Sequence, residues 1–170
     1  MAVHSLERIQ CIPADLERVW SFFSDPVNLP KITPPYMRFE ILSPGGSNSS
    51  GGVQGVDRSG AQIYAGQIIE YRLRPLPFFR TYWMTEITHV QEGRYFVDEQ
   101  RRGPYSLWHH QHHLRKIAGG VEMTDIVHYA LPVGFIGDLA HPLFVRRQLE
   151  GIFQYRFQRV EELFGKYAPA

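Results

Sequence analysis

From Ile63 to Leu131 the chain reads as strand-rich segments cut by turn residues, and one long amphipathic segment follows. That order constrains the fold more than any short motif does. The breaks fall at Pro75-Leu76-Pro77, Glu92-Gly93, Gly103-Pro104 and Gly119-Gly120. Between them run 63–74, 80–91, 94–102, 105–118 and 121–131, rich in the β-branched and aromatic residues that suit a pleated, half-buried surface. Strands joined in succession by tight turns pair antiparallel. After Pro132-Val133-Gly134 a helix is expected over roughly Asp138–Phe164. Leu149, Ile152, Phe153, Arg156, Val160 and Phe164 fall on or near one stripe of it. A helix of ~25 residues spans on the order of 37 Å, long enough to cross a sheet.

The N-terminal part adds one strand and two short helices. Residues 2–12 alternate loosely and stop at Pro13, as a strand would. Asp15 is placed to cap a helix that carries Leu16, Val19, Trp20 and Phe23 at helical spacing. Asp25-Pro26 ends that helix or opens a second, running to Ile32, and Thr33-Pro34-Pro35 breaks it. Tyr36–Leu42 reads as strand. Residues 43–60 are mostly Gly, Ser and Asn, which predicts a flexible loop without chemistry. The expectation is one α+β domain over 1–170, with about six to seven antiparallel strands, two short helices after the first strand, and a long C-terminal helix packed on the sheet.

The totals exclude some functions. Eighteen basic against 17 acidic residues leave a net charge of +1, so no basic field draws the chain to nucleic acid. A single cysteine, Cys11, rules out an internal disulfide and is expected as a reduced core residue. Arg and Glu interrupt the opening residues where a leader would be apolar, and no stretch reaches transmembrane length. A soluble, cytoplasmic protein without a membrane span is therefore expected, with a homodimer left open. Aromatic residues reach 14%, and such large flat side chains need a core, a pocket or an interface to cover them.

Residues 108–113 read Trp-His-His-Gln-His-His, holding four of the chain's eight histidines. On a strand, side chains alternate faces, so the cluster divides into two pairs. Trp108, His110 and His112 share one face; His109, Gln111 and His113 share the other. If Gly119-Gly120 is a two-residue hairpin loop, Leu114 faces Asp125, His112 faces Val127, His110 faces Tyr129 and Trp108 faces Leu131. The Trp108/His110/His112/Tyr129 face is expected inside. The His109/His113/His128 face then looks to solvent or to a partner chain. For the preceding hairpin, a three-residue turn ending at Tyr105 is favoured over a two-residue Gly103-Pro104 turn. It puts Asp98 opposite His110, Phe96 inward and Arg101 outward, whereas a one-residue slip exchanges the faces.

Several segments together resemble the START-like helix-grip superfamily, also called SRPBCC, which includes the birch-pollen allergen. They begin with Val19-Trp20-Ser21-Phe22-Phe23-Ser24-Asp25-Pro26 and Asn28-Leu29-Pro30-Lys31-Ile32-Thr33-Pro34-Pro35. Thr85-Glu86-Ile87-Thr88, Gly103-Pro104-Tyr105, Trp108-His109-His110 and Tyr129-Ala130-Leu131-Pro132-Val133-Gly134 continue the likeness. Val145-Arg146-Arg147-Gln148-Leu149-Glu150 and Ile152-Phe153-Gln154-Tyr155-Arg156 complete it. The resemblance is to bacterial single-domain members and covers nearly the whole chain outside 43–60. It implies a curved sheet gripping the C-terminal helix, with a ligand-binding or cyclase/dehydrase-like role.

Three readings of the inner face compete. A zinc site needs three or four protein ligands. His110 and His112 supply two, and a third from Asp98 or Asp125 depends on pairing that the sequence leaves open, so no metal or other cofactor is expected. Acid/base catalysis would use His110 with Asp98, since imidazole titrates near neutrality. That would suit a cyclase/dehydrase-like enzyme acting on a polyketide-like substrate. Binding of a hydrophobic or aromatic small molecule without chemistry is the reading adopted. Its expected wall comprises Trp83, Phe96, Trp108, His110, His112 and Tyr129, with Phe153 and Arg156 from the helix. Arg156 is expected at the edge of its stripe, with its head in water. Pointing inward, it would need Asp98, Asp125 or an anionic ligand.

Overall fold

The computed structural model describes residues 2–43, 62–76, 79–132 and 144–169. Seven strands form one antiparallel sheet: β1 (His4–Ile12), β2 (Glu40–Ser43), β3 (Gln67–Leu76), β4 (Phe79–Gln91), β5 (Tyr95–Arg102), β6 (Leu107–Ile117) and β7 (Gly120–Ala130). Their order across the sheet is β1-β7-β6-β5-β4-β3-β2. Strands β2 to β7 follow one another as a meander, and β1 returns to the far edge beside β7. The link from β1 to β2 carries helix α1 (Leu16–Phe23) and two 3-10 turns, Pro26–Ile32 and Pro35–Met37. Helix α2 (Arg146–Phe164) ends the fold. The expected loop 43–60 and the expected start of the last helix, 138–143, fall largely outside the described residues.

Local chemistry accounts for these elements. Asp15 accepts a hydrogen bond from the backbone N–H of Arg18 at 2.7 Å and caps α1. Asp25 does the same for Val27 at 3.0 Å, and Pro26, which lacks a donor to satisfy, opens the 3-10 turn. The predicted strand over Tyr36–Leu42 begins only at Glu40. Pro34 and Pro35 fix the backbone angles that start the second 3-10 turn, and Arg38 leaves it in the left-handed region at φ 45°. The strand predicted from Ile63 begins at Gln67 because Gly66, at φ 89°, turns the chain and donates to the Ile87 carbonyl at 2.7 Å.

The core lies between the sheet, α1 and α2. Val160 of α2 joins Ile12, Val19, Val121 and Met123, all almost wholly buried. Leu149 and Phe153 pack with Leu6, Val127 and Tyr129. Full burial of side chains of this size stabilises by about 1.5–3 kcal/mol each. Two register breaks in the β4–β5 ladder, at Met84/Thr85 and Ile87/His89, mark bulges, which bend a strand and increase its twist. Cys11, expected in the core, is only half-buried. Leu6 and Ile12 point inward from β1, so strand alternation turns residue 11 outward.

The last hairpin is displaced from its expected register by two residues. Ile117 pairs with Gly120, so the loop is Ala118-Gly119, with Gly119 at φ 75°. Trp108 therefore faces Tyr129, His110 faces Val127, His112 faces Asp125 and Leu114 faces Met123. A shift of two preserves the faces, because side chains repeat every two residues. The β5–β6 pairing is the favoured one: Asp98 faces His110 and Phe96 faces His112. Phe96 is buried and Arg101 exposed.

Candidate functional site

Between the sheet, α2 and the 3-10 turns lies a cavity of about 360 Å³. Strand alternation builds its sheet wall: Tyr71 from β3, Trp83 and Thr85 from β4, Phe96 from β5, Trp108 from β6. Leu149, Ile152 and Phe153 of α2 face them, and Phe23, Leu29, Ile32 and Met37 close a third side. Trp83 sits edge-on to Trp108 at 5.2 Å and to Tyr105 at 5.6 Å between ring centroids, and stacks on Tyr71 at 6.1 Å. Gln148 of α2 donates to the Pro75 carbonyl and ties the helix to β3.

One end of this wall is polar. Asp98 and His110 are direct cross-strand partners, as are His112 and Asp125. The diagonals are made as well, so each imidazole touches both carboxylates. His110 Nδ1 lies 3.4 Å from Asp98 and its Nε2 lies 3.1 Å from Asp125. His112 Nε2 lies 3.0 Å from Asp98 and its Nδ1 lies 2.8 Å from Asp125. The two rings stand 3.8 Å apart, and Phe96 stacks on His112 at 4.1 Å. Asp98, His110 and His112 border the cavity.

Arg156 completes the cluster from α2. Its Nη2 lies 3.3 Å from Asp125 and 3.5 Å from His112 Nδ1, and its guanidinium stands 5.3 Å from the Phe23 ring centroid. Its side chain is 11% exposed, so the expected snorkel to water is wrong. An unpaired buried carboxylate at Asp125 is costly, and a guanidinium within reach of it is held inside.

The electrostatics follow from the packing. Burial drives the Asp125 carboxyl up, but the Arg156 guanidinium and hydrogen bonds from His110 and His112 hold it well below the usual carboxylate range. Asp98 is opposed by burial in the same way and is held below that range by the His112 hydrogen bond and the nearby His110. Burial lowers His110, and the neighbouring His112 adds to the effect. Burial also works against a charge on His112, but hydrogen bonds to Asp125 and Asp98 raise it on balance. Burial pushes the phenols of Tyr71 and Tyr105 up, so both stay protonated.

Of the eight residues expected in the wall, Trp83, Phe96, Trp108, His110, His112, Phe153 and Arg156 border the cavity. Tyr129 does not. It lies on the same face but is 1% exposed, packed under Tyr105, Trp108 and the α2 residues Leu149 and Phe153. His109 and His128 pair on the opposite face, their ring centroids 6.0 Å apart. The sequence reading missed Tyr71, Tyr105 and Met37. For Tyr71 a signal existed, since Ile69, Tyr71 and Leu73 alternate along β3 as inward residues should.

No family model matches the sequence, and no curated protein matches it. Solved structures do match in fold. One is a protein from Chromobacterium violaceum, with TM-score 0.67 and 12% identity over 96% of this chain and 99% of that one. Another is a major latex-like protein from Panax ginseng, with TM-score 0.65 and 12% identity over 95% and 97%. A third is a START superfamily protein from Mycobacterium smegmatis, with TM-score 0.62 and 15% identity over 94% and 99%. At such identities the likeness establishes the fold, and the architecture is START-like helix-grip. No helix among the described residues is long and apolar enough to cross a membrane.

Proposed function

We propose that this chain binds a hydrophobic or aromatic small molecule in the cavity between its sheet and α2. The cavity itself carries the reading: about 360 Å³ of space, walled by aromatic and aliphatic side chains with a few polar groups gathered at one end. Ligand sites are of this size and character. A second observation bears on the ligand's chemistry. Trp83 borders the cavity, and its buried Nε1 has no hydrogen-bond partner among the described residues. An unmade buried donor costs about 1–3 kcal/mol, so a ligand carrying a carbonyl or ether oxygen is favoured. The fold shared with the START superfamily protein and the major latex-like protein supports the same reading.

The test is native mass spectrometry of protein purified without denaturation, followed by solvent extraction. A stoichiometric adduct that the extraction releases as an apolar molecule supports the reading. Apo-mass protein that also takes up no aromatic probe rejects it.

A second reading is a cyclase/dehydrase-like enzyme in which His110 moves a proton on a bound carbonyl substrate. It is favoured by the placement of His110 in the cavity wall, between Asp98 and Asp125. Under it, His110→Ala abolishes turnover of a polyketide-like substrate while binding persists. Unchanged turnover rejects it.

A further inference from the structure

The cluster at the polar end of the cavity has two layers. His110 Nδ1 and His112 Nε2 turn to Asp98, at 3.4 and 3.0 Å, and Asp98 borders the cavity. His110 Nε2 and His112 Nδ1 turn to Asp125, which sits behind the rings and is held by Arg156 at 3.3 Å. Each imidazole thus offers one nitrogen toward the cavity side and has the other fixed by the same deeper carboxylate. Carboxylates behind metal-bound histidines orient them in this way.

Hydrogen bonds account for two of the four N···O contacts, His110 Nε2 with Asp125 at 3.1 Å and His112 Nε2 with Asp98 at 3.0 Å. The other two, His110 Nδ1 with Asp98 at 3.4 Å and His112 Nδ1 with Asp125 at 2.8 Å, are close ion-pair contacts. A cation shared by Asp98, His110 Nδ1 and His112 Nε2 would sit where ligand atoms of three residues already converge, and each ring would keep one N–H for Asp125. The spacing agrees. Ligand atoms at about 2.1 Å from one ion stand roughly 3.0–3.4 Å apart in octahedral or tetrahedral arrangements. The Asp98 oxygen stands 3.4 Å from His110 Nδ1 and 3.0 Å from His112 Nε2, and one ligand atom from each of the three residues lies within 4.8 Å of the other two.

We propose that Asp98, His110 and His112 form a site for a divalent first-row transition metal ion. Asp125 and Arg156 are its outer supports. Two histidines and one carboxylate leave coordination positions free, and here those positions lie at the cavity wall. The sequence alone could not carry this, because the third ligand depends on the β5–β6 register. The site stands whether or not an organic molecule fills the cavity. It does exclude proton transfer by His110, whose two nitrogens would both be engaged.

The test is titration of the full-length, chelator-stripped protein with Co²⁺, followed by its visible ligand-field bands. One Co²⁺ per chain is expected. His110→Gln and Asp98→Asn should each weaken binding by more than roughly a hundredfold, since outer partners of such sites alone change affinity about 10–100-fold. The outer-face variant His109→Gln/His113→Gln should bind as wild type. No stoichiometric binding overturns the proposal, as does binding that survives in the inner variants. If those variants do not fold, X-ray absorption at the cobalt edge of the wild-type protein decides: two imidazoles support the site and fewer overturn it. No organic probe is present, so this outcome is separate from that of the ligand reading.

Discussion

Arg156 Nη2 lies 3.3 Å from Asp125 Oδ1, and this pair fixes α2 to the strand behind the two inner histidines. The two side chains are 11% and 9% exposed, so neither charge has water to fall back on. Removing one partner of a buried pair strands the other and costs about 3–5 kcal/mol. Arg156→Met and Asp125→Asn are each expected to lose stability on that scale in urea denaturation. The double variant should lose clearly less than the sum, because it removes both charges together. Simple additivity would show that the two residues do not depend on each other.

Gly119 and Gly120 should respond differently to alanine. Gly119 sits at φ 75°, and a Cβ there would meet the Tyr167 ring only at an ordinary contact of 3.7 Å, so Gly119→Ala carries mainly the left-handed backbone penalty, about 1–2 kcal/mol. A Cβ on Gly120 would lie 2.1 Å from the Ile12 carbonyl oxygen, so β1 must move to admit it. Gly120→Ala is therefore expected to be the more destabilising of the two in parallel urea melts. Equal losses would contradict the β1–β7 contact and the hairpin register described above.

That hairpin also shows what the sequence revealed and what it did not. The inner face was legible because alternation depends only on parity, and a register shift of two leaves parity intact. The partners across the turn were not legible, since two adjacent glycines allow the loop to close at either position. Asp98 opposite His110 followed from choosing the turn that buries Phe96. Arg156 was misplaced because a position at the edge of a helical stripe turns inward or outward according to what it meets, and it meets Asp125 only in this register. Tyr129 was placed on the right face, but the packing of Tyr105 and α2 over it is a tertiary fact without a local signature.

Phe153 packs between the cavity and the buried cluster that holds Tyr129. Phe153→Ala joins new empty space to the existing cavity and should cost about 3–5 kcal/mol. Phe153→Leu keeps most of the volume and should cost less than half as much. Thermal or chemical melts of the pair check this, and near-equal stability would place Phe153 outside the packed interior.

The central claim is that the cavity between the sheet and α2 takes up an apolar molecule. Fluorescence titration with the neutral probe N-phenylnaphthylamine tests it most directly, using wild-type protein beside Ile152→Trp. Ile152 is half-buried on α2 and borders the cavity, so the larger side chain fills the space while the helix keeps its place. The expected result is saturable one-to-one binding to wild type, weakened at least about tenfold in the folded Ile152→Trp variant, a difference of roughly 1.4 kcal/mol. Absence of binding to wild type, or equal binding to both proteins, would contradict the account.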